Sequence, residues 1–276
     1  MIKVIVSGAA GRMGRRLVSC VLNSKDMKLV GATEFAGCPF IGKDAGMLAG
    51  LDICGVEISS DINPLLQNAD AVIDFSTGPV VENAKLATAS GTVMVIGTTA
   101  LSEDDKKTLA NLAEKGGRIV LASNMSVGVN LLFDLCAKVA KVLGDDYDVE
   151  IVEMHHNKKK DAPSGTAVSL AEAIAKAKGL SYEKNAVHGR KGIVGERTKN
   201  EIGIHAVRGG DVVGDHTVIF ATEGERIELV HKASGRDTFA KGALKAVRFL
   251  SKAKPGLYDM QDVLGLKQPA GVERRF

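Results

Sequence analysis

Between Glu150 and Ala167 the chain sets His155 and His156 beside Lys158, Lys159 and Lys160, and follows them with Asp161-Ala162-Pro163-Ser164-Gly165-Thr166. Histidine gives or takes a proton near neutral pH, and lysine donates a proton or neutralises a carboxylate. Pro163-Ser164-Gly165 reads as the start of a helix running to about Lys178, with Ser164 as its cap. The free amides of such a terminus favour an anion. Basic side chains facing those amides suit a carboxylate-bearing substrate, protonated at carbon or nitrogen after a hydride arrives. The same run also reads as a solvated charged loop. Adjacent histidines without further spaced ligands do not close a tetrahedral zinc site, so no metal is expected.

A second group of residues points to the hydride source. The run Val4-Ile5-Val6 leads into Ser7-Gly8-Ala9-Ala10-Gly11-Arg12-Met13-Gly14 and then a helical pattern, the context of a dinucleotide-binding turn, here spaced GxxGxxG. Gly8 permits the turn, Gly11 lets the backbone approach a pyrophosphate, and Gly14 allows close helix packing. Glu34 stands twenty residues after Gly14, at the end of the second strand, where a carboxylate accepts hydrogen bonds from an adenosine ribose. Phe35, not a basic residue, follows it, which makes NADH usable; Arg12 within the loop keeps NADPH open.

These sites need elements to hold them. Lys3–Val6, Lys28–Thr33, Ala71–Phe75, Val93–Ile96 and Arg118–Ala122 read as strands alternating with helices over Arg12–Leu22, Pro79–Ser90 and Ser102–Lys115, the pattern of a parallel sheet. A new domain begins near Ser126. It opens with a helix over Asn130–Leu143 and a strand over Asp148–Met154, and continues with the capped helix at Ser164. Glu201–Val207, Thr217–Thr222 and Glu225–His231 look like antiparallel strands, with Glu223-Gly224 as a hairpin turn. A last helix, Arg236–Ser251, returns to the first domain. The fold class is α/β: a Rossmann-type parallel-sheet domain followed by an α+β mixed-sheet domain.

The chain has 276 residues, 45% of them hydrophobic, and a formal net charge of +3, enough for two cores and too little charge to suggest nucleic acid or a membrane surface. The basic clusters Lys158–Lys160 and Arg274-Arg275 are too short to change that. Cys20, Cys38, Cys54 and Cys136 show no paired spacing, and no leader or membrane-length apolar span is seen, so a reduced, cytoplasmic protein is expected. His188, His205, His216 and His231 read as ordinary strand or loop residues. Arg208, beside Gly209-Gly210, is either a residue that orders over a dicarboxylate or part of a plain surface turn.

The run Glu150 to Ala167 closely resembles the signature of the dihydrodipicolinate (4-hydroxy-tetrahydrodipicolinate) reductases. The resemblance extends to Gly8–Gly14, Gly97-Thr98-Thr99, Asn124–Asn130 and Arg208–Thr217. It implies that Gly8, Ala9, Ala10, Gly11, Arg12, Met13, Glu34, Gly97, Thr98, Thr99, Ala122, Ser123, Asn124 and Met125 line NADH or NADPH. It further implies His155 as catalytic acid/base, Lys159 as proton donor, and His156, Lys159, Ser164, Gly165 and Thr166 as the grip on the substrate carboxylates. The implied domains are 1–125 completed by 236–276, for the dinucleotide, and 126–235, for a small cyclic dicarboxylate and homotetramer assembly. The implied reaction is the reductase step on the diaminopimelate route to lysine. Phe35 stands where many relatives carry arginine, and Met125 where many carry phenylalanine. Two rivals remain: another dehydrogenase of amino-acid metabolism, which needs a different anion pocket, and a nicotinamide-sensing protein without turnover.

Overall fold

The computed structural model describes residues 1–98 and 101–267; Thr99 and the Arg274-Arg275 pair lie outside them. The chain divides into two units, Met1–Val127 with the chain from Arg236 on, and Gly128–Gly235.

The first unit grows from the apolar strand runs. It comprises β1 (Ile2–Ser7), α1 (Arg12–Leu22), β2 (Met27–Thr33), α2 (Ala45–Leu48), β3 (Ile58–Ser59), α3 (Asn63–Leu66), β4 (Ala71–Asp74), α4 (Val80–Ala89), β5 (Val93–Ile96), α5 (Glu103–Glu114) and β6 (Arg118–Leu121). Helix α6 (Val127–Leu143) then leads into the second unit, which holds β7 (Asp148–His155), α7 (Gly165–Ala177), α8 (Tyr182–Asn185), β8 (Ala186–His188), β9 (Ile202–Arg208), β10 (Asp215–Thr222) and β11 (Glu225–Lys232). The chain returns to the first unit through α9 (Asp237–Leu250), β12 (Gly256–Tyr258) and α10 (Met260–Val263).

The seven strands of the first sheet run parallel in the order β12-β6-β5-β4-β1-β2-β3. Four buried residues in a row, as in β4 and β5, are what a sheet covered on both faces requires. Val4 and Val6 enter one core with Leu17 and Val18 of α1 and Ala243 and Val247 of α9, while Ile5 enters the other with Leu66, Ala84 and Leu109. Helix α5 starts where the sequence puts it: the Ser102 hydroxyl accepts from Asp105 N–H, and the Asp105 carboxylate accepts from Ser102 N–H. The chain order reverses between β1 and β4. At such a switch the loops that leave the two strands diverge and open a crevice beyond their carboxyl ends.

The second unit is a five-stranded mixed sheet, β11-β10-β7-β9-β8. Along β7, Val149, Ile151, Glu153 and His155 are buried and alternate with half-buried residues, so one face carries a core with Leu132 and Cys136 of α6 and Leu170 and Ile174 of α7. Strand β10 is antiparallel to both β7 and β11, as expected, but β9 pairs parallel with β7 and β8. The physical reason is the connection: α7 crosses over between β7 and β9 and returns the chain to its starting edge. The loop between β8 and β9 is fastened through Arg190 and Arg197, both bonded to Glu150. Burial by itself raises the Glu150 carboxyl, yet these guanidinium groups and His205 hold it at about 2.

Candidate active site

In the first unit, β1 ends in a turn at Gly8, whose φ of +74° suits glycine. Gly8 and Ala9 donate their N–H groups to Thr33 O, joining the turn to the end of β2. A Cβ on Gly14 would lie 1.9 Å from Gly8 O, so only glycine lets α1 start this close to the turn. Glu34 accepts from Ala10 N–H at 2.9 Å, which fixes its carboxylate beside the glycine turn. A cavity of about 870 Å³ opens here, lined by Gly8, Ala10, Gly11 and Glu34 together with Phe35 and Phe40. Its size suits a dinucleotide's adenosine and phosphates, and Glu34 is the one charged residue that lines it among the described residues.

The remaining residues assigned to the cofactor are spread around the same carboxyl edge of the sheet. Ala9 is buried beneath the turn, Arg12 is exposed at the first position of α1, and Met13 packs on the core. Gly97 follows β5 with the Phe75 ring against its Cα, and Thr98 lines a smaller cavity of about 170 Å³. Ala122 extends β6 by donating its N–H to Ile96 O, Ser123 is exposed, and Asn124 accepts from Ser126 N–H. Met125 is buried in the core, where its carbonyl closes on Gly242 of α9. Sequence reasoning missed Phe75-Ser76-Thr77-Gly78, which follow β4 and line the large cavity from the other side of the switch. Their signal was positional: they leave the strand next to β1.

In the second unit, the end of β7 holds a buried cluster of charged and titratable side chains. Glu153 is fully buried and receives four N–H donors. They are His155 Nδ1 at 2.6 Å, Arg208 Nη1 and Nη2 at 2.9 Å each, and the backbone of Ser164 at 3.0 Å. Burial opposes the charge, but Arg208 and His155 more than compensate and hold the Glu153 carboxyl below its ordinary value. A carboxylate can only accept, so His155 carries its proton on Nδ1 and leaves Nε2 to exchange one; a Cβ on Gly214 would lie 3.0 Å from that nitrogen. Burial lowers the His155 pKa, and the Glu153 carboxylate partly restores it.

The other expected residues follow β7 in the same segment of chain. Lys159 pairs with Asp161 at 2.8 Å and closes a turn on His156 O. Ser164 caps α7 by accepting from Ala167 N–H at 3.2 Å; Gly165 is exposed and Thr166 half-buried in its first turn. Glu153 and His216 were not anticipated, and Arg208 was singled out without its partner. Arg208 is not part of a plain surface turn: it ends β9, clamps Glu153 and reaches Asp161 O at 2.7 Å. His216, expected to be an ordinary strand residue, lies opposite Glu153 on β10 and is bonded to Ser164 Oγ at 3.1 Å. The alternation of β10, which buries His216 with Val218 and Phe220, was the available signal.

A Rossmann crevice in one unit and a buried histidine–carboxylate–arginine cluster beside a capped helix terminus in the other fit the class of nicotinamide-dependent oxidoreductases. The comparisons narrow that class. Residues 2–125 match the family model for the N-terminus of dihydrodipicolinate reductase, and residues 128–264 the one for its C-terminus. The chain is 51% identical over 268 residues to the 4-hydroxy-tetrahydrodipicolinate reductase of Geotalea daltonii, covering 97% of this chain and 100% of that protein. It is also 51% identical over 268 residues, with the same coverage, to the enzyme of that name from Hahella chejuensis. A dipicolinate-bound dihydrodipicolinate reductase from Paenisporosarcina sp. TG-14 superposes with a TM-score of 0.74 at 26% identity, covering 95% of this chain and 98% of that one. The chain belongs to the dihydrodipicolinate reductase family.

Proposed function

We propose that the chain acts as a 4-hydroxy-tetrahydrodipicolinate reductase, reducing the unsaturated ring of a cyclic dicarboxylate to tetrahydrodipicolinate on the diaminopimelate route to lysine. The observation that carries this reading is the Glu153–His155 pair set against the capped terminus of α7. When bound, the reduced nicotinamide supplies the hydride; Gly8 to Met13, Glu34 and Gly97–Thr99 hold its dinucleotide, with Ala122–Met125 toward its nicotinamide end. Ser164, Gly165 and Thr166 offer hydroxyl and amide donors to the substrate carboxylates, and His156 and Lys159 add positive charge. Lys159 delivers the proton, and His155, kept in one tautomer by Glu153, serves as acid/base through Nε2.

The unit Met1–Val127 with the chain from Arg236 on is thereby the dinucleotide domain, and Gly128–Gly235 the substrate domain. The latter is also the proposed homotetramer contact. Its sheet turns one face to α6 and α7, while Val152, Ile219 and the exposed Val207 and Val230 share the other. The four unpaired cysteines support a cytoplasmic, reducing setting. Among the described residues no helix is long and apolar enough to cross a membrane.

The test is loss of reduced-nicotinamide absorbance with NADH and with NADPH, using substrate made from pyruvate and aspartate semialdehyde by the preceding enzyme. Substrate-dependent oxidation supports the reading. Cofactor binding without oxidation favours the sensing protein.

A further inference from the structure

Ser164 has three jobs to reconcile with one hydroxyl. Its oxygen accepts from Ala167 N–H to cap α7, it lies 3.1 Å from His216 Nε2, and the substrate reading asks it to donate to a carboxylate. The outcome depends on which ring nitrogen of His216 carries a proton. His216 is only 3% exposed, it meets the His155 ring edge-on at 5.2 Å, and its Nδ1 is buried without a partner. The groups that act on it are Glu153, His155, His231 and Lys159. Burial, the largest influence, lowers its pKa to about 4, so the ring is neutral at physiological pH and carries a single N–H.

With that proton on Nδ1, the ring would bury an unsatisfied donor and would draw the Ser164 hydroxyl hydrogen onto Nε2. With the proton on Nε2, only a lone pair is orphaned, the less costly defect. Ser164 Oγ then accepts twice, from His216 and from Ala167, and among the described residues its hydrogen has no acceptor.

Taking the dicarboxylate reading of this pocket as given, we infer that His216 is a positioning residue for substrate: by donating from Nε2 to Ser164 Oγ it commits the serine hydroxyl to donate outward, onto a substrate carboxylate oxygen. The cap of α7, built from Ser164 and His216, thus presents an O–H donor alongside the helix amides. A serine capping a helix without such a histidine is free to turn its hydrogen elsewhere.

The experiment measures calorimetric binding of pyridine-2,6-dicarboxylate to the full chain, with NADH affinity and thermal unfolding as folding controls. Ser164→Ala and His216→Leu each weaken the dicarboxylate by about tenfold, equivalent to about 1.4 kcal/mol, and leave NADH binding unchanged. The double variant is no weaker than Ser164→Ala alone, because both changes remove the same donated hydrogen. His216→Gln, whose side-chain amide places a donor near the former Nε2, keeps the affinity within about threefold. Nitrogen NMR on histidine-labelled protein finds the His216 proton on Nε2. The inference is overturned by additive losses, by unchanged affinity in His216→Leu, by failure of Gln to rescue, or by a proton on Nδ1. A parent protein that binds NADH but no dicarboxylate instead overturns the functional reading on which this rests.

Discussion

Replacing Glu153 by glutamine tests the proton machinery most directly, because it removes a charge and keeps the shape. The carboxylate is fully buried and its partner Arg208 is 21% exposed, so loss of the charge strands a guanidinium in a poorly solvated place. Breaking such a pair costs about 3–5 kcal/mol. Glutamine keeps one accepting oxygen, so the low end, about 3 kcal/mol, is expected for Glu153→Gln. For a chain of this size that corresponds to a drop in Tm of roughly 6–12 °C. The kinetic effect has a definite sign. Burial lowers the His155 pKa and Glu153 opposes the fall, so without the carboxylate it falls further. Whether the protonated or the neutral ring turns over, the His155 limb of the pH profile of kcat/KM moves to lower pH. The assay is the NADH-oxidation rate from pH 5 to pH 9 (roughly the range in which histidine titrates), beside a thermal unfolding scan. A limb that stays in place in a folded Glu153→Gln protein would falsify the assignment of Glu153 as the group that tunes His155.

Two further outcomes follow from the geometry. The large cavity has Glu34 as the one charged lining residue among the described residues, with Phe35 64% exposed beside it, so no basic residue in that lining neutralises a 2′-phosphate. NADH should exceed NADPH in kcat/KM by about tenfold or more, and Phe35→Arg should narrow that ratio by raising the NADPH rate; a parent preference for NADPH refutes this account. His216 has a folded-state pKa depressed to about 4, below the ordinary histidine value, so between about pH 6.5 and 4 the unfolded chain binds a proton the folded one refuses. Stability therefore falls as pH drops through that window, by up to about 3 kcal/mol. His216→Leu should flatten this part of the urea-denaturation profile, and an unchanged slope refutes the linkage.

Much of the fold and of the cofactor turn was legible because the governing forces are local. The strand–glycine–helix order at Gly8 to Gly14, the capping box of Ser102 and Asp105, and the Ser164 cap depend on residues within a turn of one another, and all three stand in the structure. Strands β3, β8 and β12 were missed for the converse reason. Runs of two or three residues carry no periodicity of their own and become strands only when a neighbour offers its edge. The parallel pairing of β9 was likewise invisible, since strand direction is set by the crossover and not by composition.

The sequence by itself determined which chemical groups were present: a glycine turn of the dinucleotide-binding kind, a carboxylate at Glu34 after the second strand, and a histidine–lysine run ahead of a helix cap. Tertiary structure alone decided what each group does there. Glu153 and Arg208 are 55 residues apart, and Ser164 and His216 are 52 apart, and only the pairing of β7 with β9 and β10 brings them into contact. An arginine read either as ordering over a dicarboxylate or as a surface turn clamps a buried carboxylate, and a histidine that looked like an ordinary strand residue is the partner of the cap. Hydrogen bonds reach about 3 Å, and no pattern along the chain encodes which distant residues will come within that reach.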